Sequence, residues 1–348
     1  MEKPLKVICF GMGAIGTYIG GSLAAKGADV TFIEKEDLVD KASSQGISLK
    51  IAEEQIKIDQ VNVTADISAA LSEKPVDVAL LAVKSFDTPS VLDSIQKYAD
   101  RFPPILCLQN GVENEGLIEE RLGKGKVIAG TITSAVGRSG LGDIRLEKLR
   151  GVGIENTHPL SRTLIEWFNL AGLKAKGYPK RADMKWSKML TNLMANATSA
   201  ILNWTPGQVF SDAVTWDIEL AQLREALQVM KAMNIHLVDL PGTPVIALLT
   251  LLKTLPAGMS RWAIGKPLAK GRGAKMPSFH IDLYSGKSIS EVTFLNGAVA
   301  RYANKAGLKA QVNERLCVLL EQLASGAVAK EEYANQPLRL ERWSRNIV

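Results

Sequence analysis

The feature that most constrains this chain is Gly11-Met12-Gly13-Ala14-Ile15-Gly16, three glycines whose spacing fixes how a strand hands over to a helix. An apolar run at 5–10 precedes them, and a helical stretch at 14–26 follows. The first glycine permits the tight turn and the second lets backbone approach a charged ligand. The third lets helix and strand pack closely. A helix beginning there presents free N–H groups and the positive end of its dipole, which suit a phosphate. With a second strand at Asp29–Ile33, the run has the context of a dinucleotide site, and Gly11, Met12, Gly13, Ala14, Ile15 and Gly16 are its expected cofactor contacts.

The pattern continues as alternation. A β-rich interlude occupies 47–63, and Val-Asp-Val-Ala-Leu-Leu-Ala-Val at 76–83 lacks a polar face, as a parallel strand covered on both sides does. Helical stretches at 85–98 and Asn114–Leu122 alternate with strands at 104–108 and 126–133. Beyond Gly177-Tyr178-Pro179-Lys180-Arg181 almost everything has helical period, with helices expected at 184–202, 212–233, 288–306 and 313–324. Gly and Pro punctuate 241–277 into short helices and turns. The expected fold is α/β: an N-terminal Rossmann-type doubly wound parallel sheet over 1–178, then an all-helical domain over 179–348.

Charge narrows the classes of partner. Lys and Arg number 42 against 36 Asp and Glu, a net charge of +6. No acidic residue occurs between Asp239 and Asp282, while Lys253, Arg261, Lys266, Lys270, Arg272 and Lys275 lie there. Outside that segment the charges cancel, so the excess is local. With only Trp262 and Phe279 as aromatics, the segment lacks a stacking platform, and no nucleic-acid partner is expected. Three scattered cysteines point to reduced thiols in the cytoplasm rather than a disulfide framework. The scattered histidines give no metal-ligand cluster, and no segment reads as a signal peptide or membrane span.

Two neighbours after the second strand conflict over the cofactor. Glu34 stands where an acid holds the ribose hydroxyls of NAD, whereas Lys35 suits a 2′-phosphate. Lys84 and Asn110 each follow a strand at its carboxyl end, where ligands of open α/β sheets bind. In the second half, Lys188, Asn192 and Asn196 are spaced i, i+4, i+8 and share one face of a continuous helix, beside an apolar face of Met189, Leu193 and Ala197. A lysine and two amides on such a face can donate a proton and hold a polar substrate. A solvated polar stripe would show the same spacing. Ser288-x-x-Glu291 reads as a capping box for the helix after it.

Lys188-x-x-x-Asn192-x-x-x-Asn196 behind Trp186 resembles the catalytic helix of the ketopantoate reductase family. In the same order come Gly11 to Gly16, Lys84, Leu108-Gln109-Asn110-Gly111, Gly130-Thr131, Ala135, Ser278-x-x-x-Asp282, Glu291 and Asn296-Gly297. The resemblance covers about 5–325. It implies NADPH-dependent reduction of 2-oxopantoate to pantoate, with Lys188 as general acid and Glu291 as an active-site carboxylate. It further implies that Asn110, Asn192, Asn196 and Ser278 contact the small anionic 2-oxoacid, and that Lys35, Lys84, Asn110, Ala135 and Glu291 join the glycine loop around the cofactor. NADH stays open because of Glu34, and a homodimer is compatible with the sequence.

The chain departs from the pattern in its Ser278-to-Glu291 interval, one residue longer, in Thr293 where an acid is common, in lacking a histidine after the Gly130 region, and in its expanded cationic segment. An NAD-linked D-2-hydroxyacid dehydrogenase is therefore the alternative activity. A non-catalytic dinucleotide sensor is the alternative of another class.

Overall fold

The computed structural model describes residues 3–72, 75–255, 257–265 and 275–345. The chain opens with β1 (Lys6–Phe10), α1 (Ala14–Ala24), β2 (Asp29–Ile33), α2 (Glu36–Gln45), β3 (Ile47–Ile51), β4 (Glu54–Ile58), β5 (Asn62–Thr64) and α3 (Ile67–Ser72). It continues through β6 (Val78–Leu81), α4 (Thr88–Ile95), β7 (Ile105–Cys107), α5 (Asn114–Leu122), β8 (Val127–Ile132), β9 (Ala135–Gly140) and β10 (Asp143–Lys148). β11 (Val152–Glu155), α6 (Ser161–Leu170) and β12 (Ala175–Tyr178) complete the strand-containing half.

Among the described residues, eight strands form one sheet in the order β12-β11-β8-β7-β6-β1-β2-β5. Every neighbouring pair is parallel except β8 with β11. Alternation explains why its central strands β1, past Lys6, and β6 carry no polar face. Val7 and Cys9 of β1, with Val78 and Leu80 of β6, enter the apolar cluster that includes Tyr18 and Ile19 of α1. Ile8 and Phe10, with Ala79 and Leu81, enter the opposite cluster with Leu92 of α4 and Ile118 of α5. Burying both faces leaves no position at which a polar side chain is cheap.

A second sheet, in the order β4-β3-β10-β9, accounts for the β-rich interlude. Its β3 runs parallel to β10, pairing Ser48 with Asp143 and Ile51 with Leu146. Sequence reading misses this partner, since the pairing joins segments on either side of four strands of the main sheet.

From α7 (Arg181–Leu193) onward the chain is helical. α8 (Ala197–Leu202), α9 (Pro206–Ser211), α10 (Ala213–Ala232), α11 (Val245–Thr254) and α12 (Ala257–Ser260) follow. After Lys275 come α13 (Ser278–Tyr284), α14 (Asn296–Lys305), α15 (Gln311–Ser325) and α16 (Pro337–Arg345). Two compact units result, one running to Lys185 and including Leu240–Thr243, the other made of Trp186–Asp239 and the chain from Pro244. The division falls within α7, past the expected 178/179, because Lys185 is tied to carbonyls of the first unit, Gln109 after β7 and Gly130 within β8. Of the cationic segment, Lys266, Lys270 and Arg272 lie outside the described residues. Among the described residues no helix is long and apolar enough to cross a membrane.

Two expected helices are broken. The stretch at 184–202 ends as α7 at Leu193 and restarts as α8 at Ala197, with Ala195 at φ +54° between them. Asn196 therefore leaves the face it would share with Lys188 and Asn192 on a continuous helix. The stretch at 288–306 holds a 3-10 turn, Glu291–Phe294, before α14. The expected capping box of Ser288 with Glu291 gives way to Ser290, whose hydroxyl accepts from the Val292 N–H at 3.2 Å.

Candidate active site

In the first unit the glycine loop has the geometry a dinucleotide needs. Gly11 has φ +91° and its N–H donates to the Ile33 carbonyl at 3.0 Å, which ties the loop to the end of β2. A Cβ on Gly16 would stand 1.8 Å from the Gly11 carbonyl oxygen, so only glycine lets α1 start this close to the strand. A Cβ on Gly13 would meet nothing within 4 Å, which leaves open space where the loop faces away from the sheet. No side chain caps the N-terminus of α1. Exposed helix-end N–H groups beside a bare glycine fit a pyrophosphate.

Among the loop residues Met12 differs from expectation. Its side chain is fully buried, and its N–H donates to the Glu34 carboxylate rather than standing free. Glu34 thus faces the glycine loop from the end of β2, whereas Lys35 is exposed at the start of α2. Burial, with Glu34 nearby, pushes the Cys9 thiol far up, and burial does the same to Cys107. Neither thiol is a nucleophile.

Lys84 and Asn110 follow β6 and β7, and a buried polar cluster fixes both loops. Gln109 donates through Nε2 to the carbonyls of Val83 and Lys84 at 3.0 and 3.2 Å, and to Thr88 Oγ1 at 2.9 Å. Ser85 Oγ donates to the Asn110 carbonyl at 3.0 Å, and Asn114 Nδ2 donates to the same oxygen at 2.8 Å. Sequence reading notes Gln109 only as a motif letter. Its buried side chain supports the loop after β6 that carries Lys84, while Ser85 and Asn114 hold Asn110. Ala135 opens β9, half-buried and paired with Lys148.

Lys185 is a feature that sequence reading passes over. Its ammonium lies 2.7 Å from Glu115 Oε1, and it donates to the carbonyls of Gln109 at 2.7 Å and Gly130 at 3.3 Å. Burial alone would lower its pKa, but Glu115 and the Cys107 sulfur outweigh this and hold it above the usual lysine value. Three acceptors around one ammonium match its three donors.

In the second unit, Lys188, Thr191 and Asn192 are the residues between Met184 and Leu202 that escape full burial. Met189, Leu193 and Ala197 are fully buried. Lys188, Thr191 and Asn192 therefore form one half-buried stripe on the second half of α7, where Ser187, Met189, Leu190 and Leu193 are packed, unlike a freely solvated face. Asn196 begins α8 instead. Its Oδ1 accepts from the Phe279 N–H at 3.1 Å and its Nδ2 lies 3.5 Å from Ser278 Oγ, which joins two of the expected substrate residues. Glu291 is buried at 3% exposure, in the 3-10 turn before α14.

The break that redirects Asn196 has visible partners on α10. Glu219 accepts from the Ala195 N–H at 2.7 Å and from Thr198 Oγ1 at 2.6 Å, and Gln222 Nε2 donates to the Leu193 carbonyl at 3.3 Å. A left-handed alanine costs about 1–2 kcal/mol, and these bonds offset it. Further along α10, Glu225 accepts from the N–H groups of Val312 and Asn313 at 2.9 and 3.0 Å, anchoring the start of α15.

Comparison with known proteins gives the chain's family. The family described as "Ketopantoate reductase PanE/ApbA" matches residues 7–157, and its C-terminal counterpart matches 182–324. A 2-dehydropantoate 2-reductase of Pyrococcus horikoshii is 28% identical over 331 residues, covering 93% of this chain and 100% of that protein. A PanE/ApbA family ketopantoate reductase from Ralstonia eutropha JMP134 superposes with a TM-score of 0.76 at 25% identity, over 92% of this chain and 99% of that one. D-mandelate dehydrogenase, solved with NADH and anilino(oxo)acetate, shares the fold with a TM-score of 0.73 at 20% identity, over 94% of this chain and 98% of that one. The glycine loop, the strand-end residues and the half-buried lysine helix thus fall within two matched segments of one family: the chain belongs to the ketopantoate reductases of the PanE/ApbA type and is an oxidoreductase acting on a CH–OH group.

Proposed function

We propose that this protein reduces 2-dehydropantoate (ketopantoate) to D-pantoate with NADPH, and that Lys188 is the general acid. The single observation that carries this reading is the half-buried stripe of Lys188 and Asn192, with Thr191, on a stretch of α7 whose other residues from Met184 to Leu193 are buried. The bound nicotinamide supplies the hydride for the C2 carbonyl. The glycine loop, with Gly11, Gly13, Ala14, Ile15 and Gly16, would hold the cofactor's pyrophosphate, and Lys84, Asn110 and Ala135 would supply further contacts. Lys188 Nζ hydrogen-bonds the ketone oxygen as negative charge grows there and delivers the proton that completes the alcohol. Asn192 and Asn196 donate to substrate oxygens, Ser278 receives the carboxylate, and Glu291 orients substrate, cofactor and Lys188. The free, buried thiols of Cys9, Cys107 and Cys317 fit a reducing cytoplasm.

One observation favours a second reading. Glu34 faces the glycine loop from the end of β2, where an acid selects the ribose hydroxyls of NADH and repels a 2′-phosphate. On that reading the protein is an NADH-linked D-2-hydroxyacid dehydrogenase, and Lys35 is a solvated cation. Steady-state rates with ketopantoate and with bulky 2-oxoacids, each with NADPH and NADH, separate the two. Preferred turnover of ketopantoate with NADPH supports the first. Turnover confined to NADH and bulky 2-oxoacids overturns it.

A further inference from the structure

We propose that Glu219 is a positioning residue for the substrate-binding amide of Asn196, acting through the break between α7 and α8. This rests on the reading of Asn196 as a substrate ligand. Glu219 is 2% exposed, and its two carboxylate oxygens take the Ala195 N–H at 2.7 Å and the Thr198 hydroxyl at 2.6 Å. One turn further along α10, Gln222 Nε2 donates to the Leu193 carbonyl at 3.3 Å, which at the end of α7 also takes the Asn196 N–H at 3.2 Å. One face of α10 thereby satisfies both sides of the interruption.

Nothing local requires a break there. Residues 193–197 read Leu-Met-Ala-Asn-Ala, without glycine or proline, and Ala195 nonetheless sits at φ +54°. An alanine stays in that conformation only where its surroundings hold it, and a buried carboxylate accepting an N–H is among the stronger neutral-donor bonds available. The consequence reaches Asn196, the next residue. Instead of extending the Lys188–Asn192 stripe, its amide turns to the start of α13, where it meets the Phe279 N–H and Ser278 Oγ. Glu219 holds the residues on either side of Asn196, through the Ala195 N–H and the Thr198 hydroxyl, and thereby sets where the Asn196 amide points.

The test is a set of Glu219 variants read by kinetics and by amide exchange. Glu219→Ala should raise KM for the 2-oxoacid about tenfold while kcat changes less than about threefold, the pattern of lost substrate binding. Affinity for NADPH should stay at the wild-type value. Glu219→Gln, whose Oε1 can still accept from Ala195 and whose Nε2 can donate to Thr198, should restore KM. In an Asn196→Ala background, Glu219→Ala should add no further rise, since the two act on one interaction. Glu219→Asp, with the charge kept and the reach shortened, should show a smaller rise in KM and serves if the alanine variant does not fold. Faster exchange of the Ala195 amide in the alanine and aspartate variants, and not in the glutamine variant, reads the same claim without substrate. An unchanged KM and unchanged Ala195 exchange in the alanine or aspartate variant would overturn the proposal, as would an equal rise in KM with and without Asn196. Wild-type protein inactive on ketopantoate would instead overturn the functional reading, while the exchange result still decides the role of Glu219 at the break.

Discussion

Lys185 and Glu115 form a buried ion pair at 2.7 Å, with side-chain exposures of 4% and 5%. The ammonium also donates to the carbonyls of Gln109 and Gly130, so it links α5, the loop after β7 and the strand β8. Removing one partner leaves a charge without compensation in a medium that solvates it poorly. Lys185→Met should therefore destabilise the protein by about 3–5 kcal/mol, and the double variant with Glu115→Leu should cost less than the sum of the singles. Urea unfolding of the four proteins checks this, and additive losses would count against a coupled pair.

The same lysine makes an alkaline prediction. Its pKa is raised in the folded state, so its contribution is fully present below the unfolded lysine value and is lost as pH rises through the folded one. Stability should therefore fall in strongly alkaline solution in the wild type. Thermal melts across that range should show a shallower fall for Lys185→Met.

At the surface of the same unit, Arg181 grips Glu119 with two bonds of 2.7 Å and holds its carboxyl below the usual range, more than burial raises it. A depressed carboxylate stabilises above its unfolded pKa and ceases to do so as pH falls through the folded one. Both groups are partly solvated, so the effect is at most about 1 kcal/mol. Glu119→Gln should lower the melting temperature slightly at neutral pH and match the wild type in acid. An equal deficit at both pH values would contradict the assignment.

Lys188→Ala should lower kcat by about 10²–10⁴-fold, the usual worth of a positioned acid, with cofactor affinity nearly unchanged. Steady-state kinetics with a fluorescence titration of NADPH measures both. Loss of cofactor binding in step with kcat would place Lys188 on the cofactor instead.

Two glycines of the loop should respond differently to the same methyl group. Gly13→Ala has open space for its Cβ and should fold normally, yet bind NADPH at least about tenfold more weakly because backbone no longer approaches the pyrophosphate. Gly16→Ala would place Cβ 1.8 Å from the Gly11 carbonyl and should lose stability as well as affinity. Melting temperatures beside cofactor titrations separate the two effects, and a Gly13→Ala protein with full affinity would argue against a pyrophosphate at that point.

Much of the fold is legible locally. The runs that became β1, β6, β7 and β8 are apolar on both faces because helices or a second sheet cover both, and the glycine loop carries its own stereochemistry. Lys188 and Asn192 are legible for the same reason: one helical turn places them on one stripe, and no distant residue is needed to do so. The pairing of β3 with β10, the grip of Lys185 on Glu115 and Gln109, and the seat of Asn196 on α13 are not legible, because each depends on a partner far along the chain. Gln109 is 76 residues from Lys185, and Phe279 is 83 from Asn196. The clearest case is Ala195, where helical propensity predicts continuation and a buried carboxylate 24 residues later breaks the helix. The sequence by itself determined which surfaces must be buried and how the glycine loop turns, since periodicity and glycine stereochemistry are local. Only the tertiary structure decided which polar groups meet, since a buried hydrogen bond is specified by both of its ends at once.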